Sequence, residues 1–139
     1  MSLRIGVSSG AFYPIVPTEN VPARAAELGI SDIELLLQTA GEYSPRFLRQ
    51  VRDEADACGV AVHSLHLYQA LHPLFTSYQR RTDEAIDLFR RVLEGAHITG
   101  AHVVVWHGAS RAEATAPDAW DQFIVMTARL AELAAEAGV

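Results

Sequence analysis

The sequence predicts an α/β fold with parallel strands, and two repeated patterns support this prediction. A helical pattern ends in glycine four times, at intervals of about 30–40 residues, which is the length of one β-α unit. Glycine is common just after a helix because it adopts the left-handed backbone conformation without a Cβ clash. Three of these glycines precede a nearly continuous apolar run, as expected for strands that helices cover. The four glycines are Gly29, Gly59, Gly100 and Gly138.

Four strands are predicted from the apolar runs, and their alternation with helices predicts that they are parallel. They cover residues 3–8, 32–37, 61–67 and 102–107. Units of this kind form either an open doubly wound sheet or a closed (β/α)8 barrel. A dinucleotide-binding sheet is disfavoured, because the segment SSGAFYP after the first strand has one glycine and not the GxGxxG pattern.

Four helices are predicted between and after these strands. They cover about residues 18–28, 45–58, 77–97 and 117–137. The first opens at Thr18. In the second, Ser44 is a good N-cap, and Pro45 at the first helical position loses no hydrogen bond. Pro117 with Asp118 opens the fourth helix.

The composition indicates one acidic domain. The chain has 139 residues and a formal net charge of −6, whereas proteins that bind nucleic acid carry a basic surface. All 11 basic residues are arginine, so lysine-dependent chemistry such as Schiff-base formation is excluded within this chain. Cys58 is the single cysteine, which excludes an internal disulfide and fits a cytoplasmic protein. No signal-peptide pattern and no apolar stretch of membrane-spanning length is present, so no membrane partner is expected.

Two histidines end consecutive apolar strands. His66 follows the third run and His107 the fourth, at the carboxyl edge where α/β proteins carry their functional sites. Alternation along a strand places Val62, Ser64 and His66 on one face, and likewise Val103, Val105 and His107. Two neutral imidazoles on neighbouring strands are typical of a zinc or manganese site. The alternative, of similar weight, is that both are hydrogen-bonded core residues.

Glu34 lies within the second apolar run, where a carboxylate without a partner is costly. It is expected to meet a cation, a metal or a hydroxyl-rich ligand, or to pair with Arg4 or Arg24. His72, in the loop after the third strand, is a candidate for ligand contact. The other histidines, His63, His97 and His102, are interpreted as structural.

The segments IGVSSGAFYP, ELGISDIELLL, EYSPRF, GVAVHSLHLY and GAHVVVWHGAS resemble the first half of the sugar phosphate isomerase/epimerase family. These are xylose-isomerase-like TIM barrels, a superfamily that also contains endonuclease IV-type apurinic endonucleases. The resemblance implies a divalent metal (Mn, Zn, Mg or Co). It places His66 and His107 at positions that are metal ligands in the endonuclease branch and substrate or metal neighbours in the isomerase branch, and we predict them as metal ligands here. It also implies a sugar or sugar phosphate as the substrate, and Glu34 resembles the strand-two glutamate of the family. Glu34 and, from its loop position, His72 are therefore predicted to contact the substrate. The reaction implied is proton transfer between adjacent carbons through an enediolate.

The family has eight β-α units and this sequence has four. Residues 1–139 are therefore expected to form the N-terminal half of the barrel, ending before a fifth strand that would begin at Val139. Most catalytic carboxylates of the isomerases come from the other half, so no catalytic residue is assigned and the chain alone is expected to be inactive. A non-catalytic half-barrel module is the alternative, and abasic-site DNA repair a weaker one.

The chain is also expected to form a homodimer or larger homo-oligomer. A half-barrel leaves two open strand edges, and the barrel-lining side chains lack their opposing layer. That lining is expected to include Leu35, Val62, Val103 and Val105.

Overall fold

The computed structural model describes residues 4–67, 78–108, 115 and 118–139, and these form one parallel sheet with helices against it. The strands lie in chain order and pair in parallel: β1 (Val7–Ser8), β2 (Asp32–Leu36), β3 (Ala61–His66) and β4 (Val103–Val105). The helices are α1 (Val21–Glu27), α2 (Pro45–Cys58), α3 (Gln79–Thr99) and α4 (Ala119–Glu136). Short 3₁₀ turns cover Ser9–Phe12, Thr18–Asn20 and Ala40–Tyr43. The predicted alternation of strands and helices is confirmed.

Each of the four α-helices in the described part of the chain ends with the same hydrogen-bonded cap. Each predicted glycine has a positive φ, between 68° and 78°. The residue after the glycine donates its N–H to the carbonyl of an alanine five residues earlier, which is the 6→1 bond of the Schellman motif. These bonds are all 2.9 Å long and join Ile30 to Ala25, Val60 to Ala55, Ala101 to Ala96 and Val139 to Ala134. The repeated unit is therefore Ala-x-x-x-Gly followed by an apolar residue.

The predicted helix starts are confirmed to different degrees. Ser44 caps α2, its Oγ accepting from the N–H of Phe47 at 3.4 Å, and Pro45 is the first helical residue. The first helix begins later than predicted, because Thr18 opens a 3₁₀ turn and its hydroxyl donates to Glu42. Asp118 precedes α4 without a side-chain cap, and residues 116–117 lie outside the described residues.

The core lies between one face of the sheet and the helices. Ile33, Leu35 and Leu37 alternate along and just beyond β2, and all three are fully buried. Helices α2 and α3 cover them with apolar side chains that include Leu48, Val51, Phe89 and Val92. No described helix is both long enough and apolar enough to cross a membrane.

A β-bulge in β3 changes the expected alternation of faces. Ile33 pairs with Val62, but Glu34 pairs with Ser64, so His63 is an extra residue without a counterpart in β2. Val62 therefore joins the buried core with Ile33, whereas Ser64 lies on the opposite face with Glu34. The prediction that Val62 shares a face with Ser64 and His66 is wrong. The prediction that Leu35 lines the barrel is also wrong, because it packs against the helices.

Candidate metal and substrate site

The carboxyl edge of the sheet brings together side chains from three strands. Glu34 projects from β2, His66 ends β3, and His107 follows β4 by two residues. His66 Nδ1 lies 3.0 Å from Glu34 Oε1, and His66 Nε2 lies 2.7 Å from His107 Nε2. The imidazole centroids are 4.7 Å apart with a 39° angle between the planes. The structure thus joins three of the four predicted site residues, and the fourth, His72, lies outside the described residues.

The contact with Glu34 orients the imidazole of His66. A carboxylate can only accept hydrogen bonds, so the shared proton lies on Nδ1 of His66. In a neutral imidazole the other nitrogen, Nε2, then carries the lone pair. This lone pair points at Nε2 of His107, where it can accept a proton or bind a metal. A carboxylate behind a histidine in this way is the usual second-shell partner of a metal ligand.

The electrostatic environment keeps Glu34 ionised. Burial has the largest single effect and raises its pKa. Hydrogen bonds from His66 and Ser8, together with the electrostatic effect of the neighbouring His66 and His107 rings, outweigh burial and hold the pKa of Glu34 below its usual value. The side chain of Glu34 is 28% exposed and that of His66 16%, so both remain reachable from the open face of the sheet.

The two imidazoles fit two positions of a metal site. Zinc–nitrogen bonds of about 2.0–2.1 Å at a tetrahedral angle separate two ligand nitrogens by about 3.3 Å. The present 2.7 Å contact between the Nε2 atoms needs only a small opening to reach this value. Among the described residues, however, no group of three His, Cys, Asp or Glu side chains could hold an ion. Any further ligands must therefore come from elsewhere.

A cavity of about 440 Å³, which most polar residues of this face line, adjoins the cluster on the same face of the sheet. Ser8, Glu34 and Ser64 form its wall beside the cluster, and Arg4 with Asp32 forms the opposite end. Asp32 is only 7% exposed and accepts from the Arg4 guanidinium and from the Ser31 hydroxyl, the latter at 2.9 Å. Hydroxyls, a carboxylate and an ion pair around one cavity suit a polyhydroxylated ligand.

The predicted arginine partners of Glu34 are wrong. Arg4 forms an ion pair with Asp32. Arg24 Nη1 lies 2.6 Å from Glu27 Oε2 on the surface of α1. Sequence reasoning missed Asp32 as a residue lining the cavity, and it placed Ser64 on the face of His66 without naming it as a site residue. Asp32 could have been found, because it precedes Glu34 by two residues and therefore shares its face.

The remaining histidines, and Ser9 next to the end of β1, do not belong to the Glu34–His66–His107 cluster. His63 borders the cavity at the bulge, His97 lies exposed on α3, and His102 borders another cavity beside β4. Ser9 does not face a ligand, because its hydroxyl accepts from the Leu36 N–H at 2.8 Å and donates to the Leu36 carbonyl.

The comparisons with known proteins define the class. The model of the family described as xylose isomerase-like TIM barrel matches residues 22–139, so the chain belongs to that family. Its described strands and helices are a parallel (β/α)4 half of such a barrel, as the sequence predicts. No curated protein matches the chain.

Three solved structures illustrate the similarity of fold. D-psicose 3-epimerase from Clostridium cellulolyticum H10 has a TM-score of 0.77 at 14% identity, with 99% of this chain and 50% of that one covered. A D-tagatose 3-epimerase-like protein gives 0.77 at 20% identity, with 99% and 51% covered. The 3-keto-D-glucoside 4-epimerase of E. coli gives 0.70 at 16% identity, with 99% and 54% covered. The chain therefore spans about half the length of the structures that it matches.

Proposed function

We propose that this chain supplies half of the active site of a divalent-metal-dependent sugar or sugar-phosphate isomerase or epimerase, acting in the cytoplasm. The observation that carries the proposal is the convergence of two imidazole Nε2 atoms at the carboxyl edge, with Glu34 hydrogen-bonded behind one of them. That edge is where parallel barrels place their chemistry. The similarity of fold to D-psicose 3-epimerase and to a D-tagatose 3-epimerase-like protein supports a sugar as the substrate.

Each residue of the cluster has a proposed task. His66 and His107 would hold Mn²⁺, Zn²⁺, Mg²⁺ or Co²⁺, and Glu34 would fix the tautomer of His66. A metal bound there supplies Lewis acidity toward a carbonyl and its neighbouring hydroxyl. Ser8, Ser64 and the exposed part of Glu34 would bind sugar hydroxyls in the adjoining cavity. His72 stays a proposed ligand contact.

The base that moves the proton is not assigned to any described residue. Proton transfer through an enediolate needs a carboxylate base beside the substrate carbon. Glu34 is already hydrogen-bonded to His66, so the base must come from a complementary set of strands. We therefore propose that the isolated chain is inactive as an isomerase.

Metal binding tests this proposal directly. Zn²⁺ and Mn²⁺ titrations by calorimetry, with elemental analysis of the purified protein, should show binding that His66→Ala and His107→Ala each abolish or weaken at least tenfold. His97→Ala is the matched control, because His97 is exposed on α3 and should leave binding unchanged. Equal metal content in all four proteins would refute the assignment.

A non-catalytic half-barrel module is the second candidate. It is favoured by one observation, that the described residues offer two metal-binding nitrogens and no third ligand. Absence of metal binding in every variant, in a folded protein, would support this reading over the first. Abasic-site DNA cleavage is disfavoured, because the net charge is −6 and no lysine is present to contact phosphate.

A further inference from the structure

The turn Ser8-Ser9-Gly10 leads out of β1 directly beside the candidate site. The strand β1 is two residues long, and in the parallel ladder Ser8 pairs with Glu34 of β2. After Ser8 the backbone leaves the sheet as a 3₁₀ turn over Ser9–Phe12. The contacts of this turn with β2 join two neighbouring strands within the sheet, so they do not involve an open strand edge.

Ser9 continues the pairing of β1 with β2 through its side chain. Its hydroxyl accepts from the Leu36 N–H at 2.8 Å and donates to the Leu36 carbonyl at 3.2 Å. In a longer ladder the backbone of β1 would make both of these bonds, so the buried Ser9 side chain takes the place of further strand residues. Leu36 is the register partner of His66. The hydroxyl of Ser9 therefore anchors the turn to β2 beside His66.

The hydroxyl of Ser8 lies between a backbone donor and the carboxylate of Glu34. Its oxygen accepts from the Gly10 N–H at 3.3 Å, a bond within the anchored turn. A hydroxyl has one proton, and Ser8 donates it to Glu34. The bond from Gly10 occupies one lone pair of the oxygen, which leaves the second available to a sugar hydroxyl. The turn therefore fixes the direction in which Ser8 donates.

Glu34 is thus held from both sides by neighbouring strands. Ser8 of β1 donates to it from one side. From the side of β3, Nδ1 of His66 lies 3.0 Å from Glu34 Oε1. The last torsion of a glutamate side chain is soft, so a single contact leaves the carboxylate free to turn. Two contacts from opposite strands restrict it to one orientation.

We propose that Ser8 is a positioning residue of the site, which aims the Glu34 carboxylate at Nδ1 of His66. Ser8 acts through Glu34 and does not contact the metal. Its effect reaches Nε2 of His66, because the proton that Glu34 holds on Nδ1 leaves the lone pair on Nε2. This inference deepens the proposed function. Its metal-binding part rests on that function, whereas the orientation of His66 does not.

The tautomer of His66 in the metal-free protein is the first test. Long-range ¹H–¹⁵N correlation spectra distinguish a protonated ring nitrogen from one with a lone pair, and the spectrum of His66→Ala assigns the signals. At about pH 8, where an ordinary imidazole is neutral, His66 should be protonated at Nδ1. Ser8→Ala should give a mixture of both tautomers, because Glu34 can then turn away. Ser8→Thr keeps the hydroxyl and should restore the single tautomer, whereas Ser8→Val, of the same shape as Ser8→Thr, should not.

Zinc affinity is the second test. Ser8→Ala should weaken Zn²⁺ binding by about 3–10-fold, less than the 10–100-fold that is typical when the direct partner of a metal ligand is lost. Ser8→Thr should bind Zn²⁺ as the unmodified protein does. Ser44→Ala is the matched control, because it removes a serine hydroxyl that caps α2 and lowers stability away from the site. It should change neither the tautomer nor the affinity.

The outcomes separate this inference from the proposed function. His66 protonated at Nε2 in the unmodified protein, or a single Nδ1–H tautomer in folded Ser8→Ala and Ser8→Val, would overturn the positioning role. A mixed tautomer in Ser8→Thr or in Ser44→Ala would do the same. Circular dichroism checks folding, and the comparison of Ser8→Thr with Ser8→Val decides the matter if Ser8→Ala does not fold. A tautomer that depends on Ser8 in a protein that binds no Zn²⁺ supports the positioning role and refutes the metal site.

Discussion

Glu34 should strengthen metal binding without contacting the metal. Its Oε1 lies 3.0 Å from Nδ1 of His66, which leaves Nε2 of that ring directed at His107. Loss of such a second-shell partner typically costs 10–100-fold in metal affinity, or about 1.4–2.7 kcal/mol. We therefore expect Glu34→Ala to weaken Zn²⁺ binding by about 10–100-fold, because His66 loses both its fixed tautomer and its orientation.

The amide variant distinguishes orientation from direct coordination. In Glu34→Gln the side-chain carbonyl can still accept from Nδ1–H, so most of the orientation remains and the loss should be clearly smaller than in Glu34→Ala. If Glu34 itself coordinated the metal, loss of the carboxylate charge would reduce the metal affinity of Glu34→Ala and Glu34→Gln by a similar factor. Competition with a coloured zinc chelator measures all three affinities at one pH. Glu84→Gln, exposed on α3, is the control for removal of a carboxylate. Undiminished affinity in Glu34→Ala would refute the reasoning.

Two further predictions concern stability. The lowered pKa of Glu34 means that its ionised form stabilises the fold above the unfolded-state pKa, and that this stabilisation is lost as the pH falls through the folded-state pKa. Urea unfolding should therefore show a larger difference between the unmodified protein and Glu34→Gln at pH 7 than at pH 3; the same difference at both would contradict the pKa shift. Gly59→Ala and Gly100→Ala should each destabilise the protein by about 1–2 kcal/mol, because both glycines have positive φ. Gly100→Ala should lose about 1 kcal/mol more, since its Cβ would lie 2.2 Å from the Arg52 guanidinium, which donates to the Thr99 carbonyl. Chemical denaturation of the pair checks this, and equal losses would show that Arg52 moves aside freely.

Local signals in the sequence predicted the framework of the fold. A glycine that ends a helix and a Ser-Pro pair that starts one depend only on the backbone of a few neighbouring residues. Gly59 and the Ser44 cap could therefore be located without knowledge of tertiary contacts. The carboxyl-edge positions of His66 and His107 also followed from the strand ends alone. The alanines of the repeated cap were visible in the sequence but were not used.

Non-local features could not be predicted in the same way. The bulge at His63 depends on how β3 pairs with β2, and one extra residue reverses the face of Val62 relative to Ser64. The partner of Glu34 was also unpredictable, because Arg4 and His66 both lie within reach of β2 in the folded chain. The choice is set by register, which aligns Glu34 with Ser64 and leaves Asp32 beside Arg4.

The repeated helix cap keeps the residues that maintain the framework of the fold apart from the residues of the proposed site. Each Ala-x-x-x-Gly joint lies at the amino edge of the sheet and is closed by bonds within its own helix. The side chains of the proposed site, Glu34, His66 and His107, lie toward the opposite, carboxyl edge. A substitution or insertion at the carboxyl edge therefore leaves the helix caps at the amino edge unaltered. Substitutions at that edge can change which ligand is bound while the framework keeps its geometry. A duplicated β-α unit also carries the sequence of its own helix cap.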